Sequence, residues 1–488
     1  MEQKLYYARD FGAVGDGITD DGPALSRAFR EAAQNEGKLI LDAGKTYNIQ
    51  SAENSHAYFS APLCAGHCRN FAVDGQGAVL SVRPGLSYLV LTDCSDFTVE
   101  NLSFDLSDTV YYVGTVTEVN GCEVTFETDT PVRDEGCDFN GIGFTIRYNE
   151  GIQLRPHRFF REMIRLDDHH VRIGYRETSD YLPGDMVYLP AMHIGHMYGE
   201  PVYLAGNSGR VVLRNINLWQ APSFGCAIKG NSADITFDRF CFVPSPRYDH
   251  RVKMVGWRDG FHCKDNRGAI HWENCTVGVI FDDVFNISAT LGEVTEVISP
   301  RKIAAVNQEF FRHQNRIVNY YGRTGDTIEI YHTEKDTYSG IAEITAMETD
   351  ETGRSILTLD RDLPSVEAGC VIGNRSSCAP GSTVRNCSLT GTMRFRGSCT
   401  IEDTQFDLLR IWIMVEGDVE GPVPGDIRFR RCVFNGGSIE VWAYNRPENR
   451  ILSRLGSEIR GIVFEDCVMD TQFDMAVNVR LIDSRASG

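Results

Sequence analysis

The chain has 488 residues, of which 42% are apolar, with 46 glycines against 17 prolines and a formal charge of −19. That length exceeds one ordinary globular core, and the glycine excess fits many short strands and tight turns better than helices. So acidic a surface repels phosphate backbones and anionic lipids, which excludes nucleic acid and membrane as expected partners and weighs against a polyanionic substrate.

The N-terminal stretch MEQKLYYARDFGAVGDG lacks the apolar segment of a secretory signal, and no run of about 18 apolar residues follows it. The fifteen cysteines are odd in number. Without a signal they read as reduced thiols, and the expected location is cytoplasmic. On that basis the sequon-like triplets at Asn274, Asn286 and Asn386 carry no glycan. DFGAVGDGITDDGPAL (10–25) resembles the opening motif of pectate-lyase-like β-helix proteins. The resemblance speaks to fold and not to reaction, because lyases, hydrolases and phage adhesins share it. GAVGDG within it lacks the Lys-Ser/Thr of a phosphate-binding loop and reads as a turn. Residues 22–36 are the clearest helix, with Ala24, Leu25, Ala28, Phe29 and Ala32 on one face, suited to cover the open end of a first coil.

FTVENLSF (97–104) opens a pattern that returns as VLRNINL (212–218), ITFDRFCF (235–242), IHWENCTV (270–277), TVRNCSL (383–389), TIEDTQF (400–406), IRFRRCVF (427–434) and IVFEDCVM (462–469). Period-two alternation marks strands with one buried face. Its return at roughly 20–35-residue intervals, without helices between, points to stacked coils of a β-solenoid. A β-sandwich would explain the alternation but not the shared grammar. Cys275, Cys387, Cys432 and Cys467 hold equivalent places in their copies and read as packing residues. Two stretches, 110–195 and 293–376, break the repeat with charged, hairpin-like strands. They resemble each other: VTFETDTP (124–131) parallels LTLDRDLP (357–364), and PGDMVYL (183–189) parallels TGDTIEI (324–330). The expected fold is all-β, a right-handed parallel β-helix with two inserted small antiparallel β-barrels. The expected divisions are 1–109, 110–195, 196–292, 293–376 and 377–488.

The chemistry concentrates in WRDGFHCKDNRGAIHWENCTVGVIFDDVFNIS (257–288). Asp259 precedes a glycine and an aromatic, and the Asp282–Asp283 pair follows 23 residues later, about one solenoid turn. Adjacent coils lie ~4.8 Å apart. With side-chain offset, the carboxyls would approach the ~6.5–9.5 Å that an inverting glycosidase needs for its water. One carboxyl would keep a proton for the leaving oxygen while another activates water. Spacing alone leaves structural turns and calcium ligation equally open. Trp257 as a sugar-stacking floor, and His262 and Asn286 as hydroxyl partners, favour catalysis.

DGFHC (259–263), followed one coil later by the Asp pair of FDDVFNIS (281–288), resembles the core of glycoside hydrolase family 110. That family comprises α-1,3-galactosidases that cleave the blood group B determinant. The resemblance implies a β-helix with inserted barrels, Asp259 as general acid and Asp282 with Asp283 acting on water. It further implies anomeric inversion, no metal or organic cofactor, and a glycan with terminal α-galactose as partner. Lys229, Arg410, Trp412, Trp442 and Arg480 are further candidates to bind sugar, and Tyr444 and Asn445 lie close by in sequence. A homo-oligomer is compatible with the sequence. HIGH (193–196), outside any Rossmann pattern, reads as chance, and His169–His170 and Cys64/His67/Cys68 lack a second ligand pair at zinc spacing. A β-helix hydrolase of a different linkage, a calcium-dependent polysaccharide lyase and a trimeric, non-catalytic glycan-binding β-helix remain alternatives.

Overall fold

The computed structural model describes residues 3–486 except 57–58, 109–110, 133–143, 149–157, 191–199, 248–253, 257, 281, 416–419, 444–454, 456–457 and 476–478. Each coil has three faces. The first runs through Leu63–Gly66, Leu89–Thr92, Val202–Ala205, Cys226–Lys229, Phe261–Lys264 and Asp283–Thr290. The second includes Ile270–Glu273, Ser382–Arg385, Cys399–Glu402, Ile427–Arg430, Ile462–Glu465 and Val479–Ile482. The third is built from Thr276–Val277 and the opposite halves of longer strands that bend around a corner, such as Ser388–Phe395. Neighbouring coils pair in parallel and in register, as in Cys226↔Phe261 and Phe261↔Phe285. This is the expected parallel β-helix.

The repeated grammar has a backbone cause. Between the second and third faces the chain turns through one left-handed residue, and Asn101, Asn215, Arg239, Asn274, Asn386, Asp403, Arg431, Asp466 and Asp483 hold φ between 50° and 58° there. Asn and Asp tolerate that conformation best after glycine. Their side chains also link coils: Asn215 Nδ2 donates to Asn101 Oδ1 at 2.9 Å, and Asn386 Nδ2 to Asn274 Oδ1 at 2.7 Å. The residue after the turn faces inward. Cys275, Cys387, Cys432 and Cys467 occupy that place and are buried. Inside, aromatic side chains stack coil on coil, with Phe261–Phe285 centroids 5.2 Å apart and Phe429–Phe464 4.6 Å apart.

A buried asparagine ladder holds the corner between the first and second faces. Asn207, Asn231 and Asn266 are at most 1% exposed. Asn231 Oδ1 accepts from Asn207 N at 2.8 Å, while its Nδ2 donates to the Leu204 carbonyl at 3.0 Å. Asn231→Leu leaves these groups unpaired in the core, and each orphan costs about 1–3 kcal/mol. The expected result is a lowered urea midpoint with the β-sheet circular dichroism signal intact.

The helix α1 (Gly22–Gln34) covers the first coil as expected, ending two residues short of the sequence estimate, with Asn35 as its C-cap. It buries Ala24, Leu25, Ala28, Phe29, Ala32 and Ala33, and Phe29 packs edge-on to Phe71. Gly22 is required at its start, since a Cβ there would lie 1.8 Å from the Ser51 carbonyl oxygen.

Both repeat-breaking stretches contain a closed six-stranded barrel. One joins Tyr111–Asn120, Glu123–Thr128, His170–Tyr175, Arg158–Arg165, Phe144–Tyr148 and Met186–Pro190; the other joins Gly292–Ser299, Lys302–Asn307, Ser355–Leu359, Thr337–Thr349, Thr327–His332 and Val371–Asn374. Numbered along the chain, the strands follow one order in both barrels, 1-2-5-4-3-6. The segment parallels noted in the sequence nevertheless join non-equivalent strands, the second of one barrel with the fifth of the other and the sixth with the third. That order maps onto itself when each strand is exchanged for the one three later, so these parallels follow an internal two-fold repeat of the barrel. The first barrel leaves the helix between the third and first faces, the corner that also carries the acidic residues described next.

Candidate active site

Asp259 stands just before Phe261–Lys264, and Asp283 begins Asp283–Thr290 on the next coil. The coils are locked there by Gly260 N donating to the Asp283 carbonyl at 2.8 Å. Gly260 allows this approach: a Cβ would lie 2.9 Å from the Val284 carbonyl oxygen and 2.7 Å from Ile280 Cδ1. The Asp-Gly of the sequence is thus a packing requirement that presents a carboxyl at the corner. One carboxyl oxygen from each of Asp259, Asp282 and Asp283 lies within 4.8 Å of the others. The convergence is tighter than the separation expected from coil spacing plus offset.

Each carboxyl has a different environment. Asp259 is 3% exposed, and its Oδ2 lies 2.7 Å from His262 Nδ1. The His262 ring stacks on Phe224, with centroids 4.2 Å apart, and Phe224 also carries the Arg258 guanidinium 4.4 Å from its centre. Asp283 is 2% exposed, with Oδ2 3.0 Å from Arg394 Nε and Oδ1 without a hydrogen-bond partner among the described residues. Burial raises its pKa well above the usual carboxylate range, against the pull of Arg394. Asp282 is the most accessible of the three, and its pKa is pushed up to about 7 by desolvation and then by the charge of Asp259.

The sequence candidates divide. His262 and Asn286 are neighbours on successive coils of the first face. Asn286 Nδ2 donates to both oxygens of Glu420, at 3.2 and 3.3 Å, and its Oδ1 has no partner among the described residues. Lys229 lies on the preceding coil, 3.6 Å from Glu200. Trp257, Tyr444 and Asn445 fall outside the described residues, as does HIGH (193–196), and so do the side chains of Arg410, Trp412 and Trp442. In backbone register Arg410 continues the row of Asp283 and Thr392, and Trp412 that of His262, Asn286 and Arg394. Trp442 pairs with Met414 further along. Arg480 is a correction. It is exposed on Val479–Ile482, which stacks on the second face through Val463 and Arg428, away from the carboxyls.

Sequence inspection missed Arg394, Glu420, Arg396, Arg258 and Glu200. Arg394 and Arg396 alternate about Phe395, and Arg396 Nη1 reaches Glu420 Oε2 at 3.2 Å. Aligning Cys275 with Cys387 across the second barrel would have put this arginine strand beside the Asp pair. Among the described residues, the three aspartates are the one group of His, Cys, Asp or Glu spaced to hold a metal ion. A divalent cation would compete there with His262 and Arg394 for carboxylate oxygens.

No family model matches the chain. Over 460 residues it is 22% identical to alpha-1,3-galactosidase B of Bacteroides thetaiotaomicron, covering 85% of this chain and 72% of that protein. In shape it is similar to endo-xylogalacturonan hydrolase from Aspergillus tubingensis, at 10% identity and TM-score 0.44, covering 99% of this chain and 93% of the other. PfbA, a surface adhesin of Streptococcus pneumoniae, matches at 11% identity and TM-score 0.42, covering 99% and 82%.

Proposed function

We propose that the protein is a glycoside hydrolase that releases terminal α-1,3-linked galactose, from branched blood group B-like or linear Gal-α-1,3-Gal glycans, with inversion. The observation that carries this is the convergence of three carboxyls in three environments at one corner of a β-helix. The activity named for the Bacteroides thetaiotaomicron relative supports the sugar and the linkage.

The electrostatics favour a division of labour different from the one the family resemblance implies. Asp282, accessible and holding its proton to about pH 7, is the donor to the glycosidic oxygen. Asp259, held by its contact with His262 Nδ1, takes a proton from water, and Asp283, fixed by Arg394, helps hold that water. Water adds to the anomeric carbon as the bond to the aglycone breaks. The leaving oxygen receives the Asp282 proton, Asp259 gains the water's proton, and exchange with solvent restores both.

One observation favours a second course. Oxygens within 4.8 Å of one another are closer to the ~5–5.5 Å of retaining pairs than to the ~6.5–9.5 Å of inverting ones. NMR in the first minutes of digestion of the B trisaccharide and of Gal-α-1,3-Gal decides between them. Early β-galactose is expected. Early α-galactose would replace inversion with double displacement, and no galactose from either would sink the galactosidase proposal. Activity is also expected to persist in chelator with no ultraviolet-absorbing product; loss in chelator together with such a product would favour a calcium-dependent lyase.

A further inference from the structure

A fourth carboxyl lies at the same corner, and hydrolysis as described above does not use it. Glu200 precedes Val202–Ala205, and Val202 pairs with Cys226, which pairs with Phe261. Glu200, Phe224 and Asp259 therefore occupy equivalent places on three successive coils. Glu200 is 2% exposed. Lys229 Nζ lies 3.6 Å from its Oε1, and its Oε2 has no hydrogen-bond partner among the described residues. Burial raises the Glu200 pKa, opposed in turn by the charges of Lys229, His262 and Arg258, so the carboxyl shares the surroundings of the Asp259–His262 pair.

A purely structural ion pair would not explain this arrangement. Burying a carboxylate oxygen without a donor is costly, and a fold gains nothing by keeping it. A ligand hydroxyl that donates to Oε2 accounts for it. Lys229 is partly exposed and has three donors, with one ion-pair partner among the described residues. Its ammonium sits 5.7 Å and 5.9 Å from the ring centres of Tyr203 and Phe224, which limits where it can swing. An acceptor and a donor this close match two neighbouring hydroxyls of a pyranose, one donating and one accepting.

We propose that Glu200 and Lys229 form a specificity-determining clamp on the sugar bound beside the carboxyl cluster. Glu200 accepts a hydrogen bond from one ring hydroxyl, and Lys229 donates to its neighbour. This rests on the hydrolase proposal above. The test compares wild type, Glu200→Ala and Lys229→Met on Gal-α-1,3-Gal and on analogues deoxygenated singly around the terminal galactose.

Each variant is expected to lose about 10–100-fold in kcat/KM on the parent sugar, the effect of one charged hydrogen bond. For Glu200→Ala, one deoxy analogue should show no further loss, although wild type is 10–100-fold slower on it. Lys229→Met should show the same coupling at the adjacent position. Glu200→Ala removes a buried charge and Lys229→Met alters a partly exposed side chain, so a folding failure in one leaves the other to decide. Strictly additive losses at every position would overturn the clamp while wild-type turnover stands. Wild type releasing no galactose from the parent would overturn the hydrolase proposal, and the clamp with it.

Discussion

Replacing Asp282 with Asn is expected to lower kcat/KM on Gal-α-1,3-Gal by about 10²–10⁴-fold, the range of a lost general acid. The loss should shrink markedly on an aryl α-galactoside whose phenol departs without protonation. Asp259→Asn should lose activity to a similar degree on both substrates, because the water still needs its base. This contrast separates two assignments that share the same three residues. With Asp282 as donor, leaving-group dependence belongs to Asp282→Asn; with the roles implied by the family resemblance, it belongs to Asp259→Asn. The physical ground for Asp282 is that it combines access to solvent with a pKa pushed up to about 7. A donor must meet both conditions, and Asp283, almost wholly buried and bound by Arg394, meets only one. If neither substitution slows the disaccharide by as much as tenfold, the corner is not where the bond breaks.

The parts of the fold legible in the sequence are those where the backbone imposes a residue type. The left-handed corner demands Asn, Asp or Arg at one point and an inward-facing side chain directly after it. That demand recurs from Asn101 to Asp483 and produced the visible repeat. Helix α1 was legible through its spacing of small and apolar residues. The first face has no comparable grammar. Its strands CAIK, FHCK and the start of DVFNISAT share buried positions, but the residues between them differ from coil to coil. The repeat therefore pointed to the two faces that do not carry Asp259.

The same cause explains what was seen of the site. Asp259 and the Asp pair were found because no large insertion separates them, so one turn of chain measured one coil. Arg394 lies on the next coil but beyond a whole barrel, and Glu200 comes ten residues after the last strand of the other barrel. Sequence distance loses its meaning across such insertions. Arg480 failed for a related reason: a charged residue on a late coil gives no indication of which of the three faces it occupies, and its register puts it on the second.

The charge state of Asp282 should be readable twice, in activity and in stability. A carboxyl whose folded pKa is about 7 against about 3.9 unfolded binds its proton more tightly in the folded state. Its contribution to stability is therefore lost as pH rises from about 4 to about 7, and the folded protein carries an uncompensated charge above that range. Wild type is expected to show a falling urea midpoint between pH 4.5 and 8, with kcat/KM declining above about pH 7 as the donor deprotonates. Asp282→Asn should flatten the first trend, being more stable than wild type at pH 8 and nearly equal to it at pH 4.5, while remaining inactive at both. Arg394→Met provides the opposite perturbation. Arg394 lowers the pKa values of Asp282 and Asp283, so its removal should move the alkaline limb of the pH–rate profile upward while lowering the maximum. A profile that keeps its alkaline limb in Arg394→Met would detach that limb from Asp282. An Asp282→Asn stability curve parallel to wild type would mean that the carboxyl is ionised throughout, and the donor would have to be sought at Asp259.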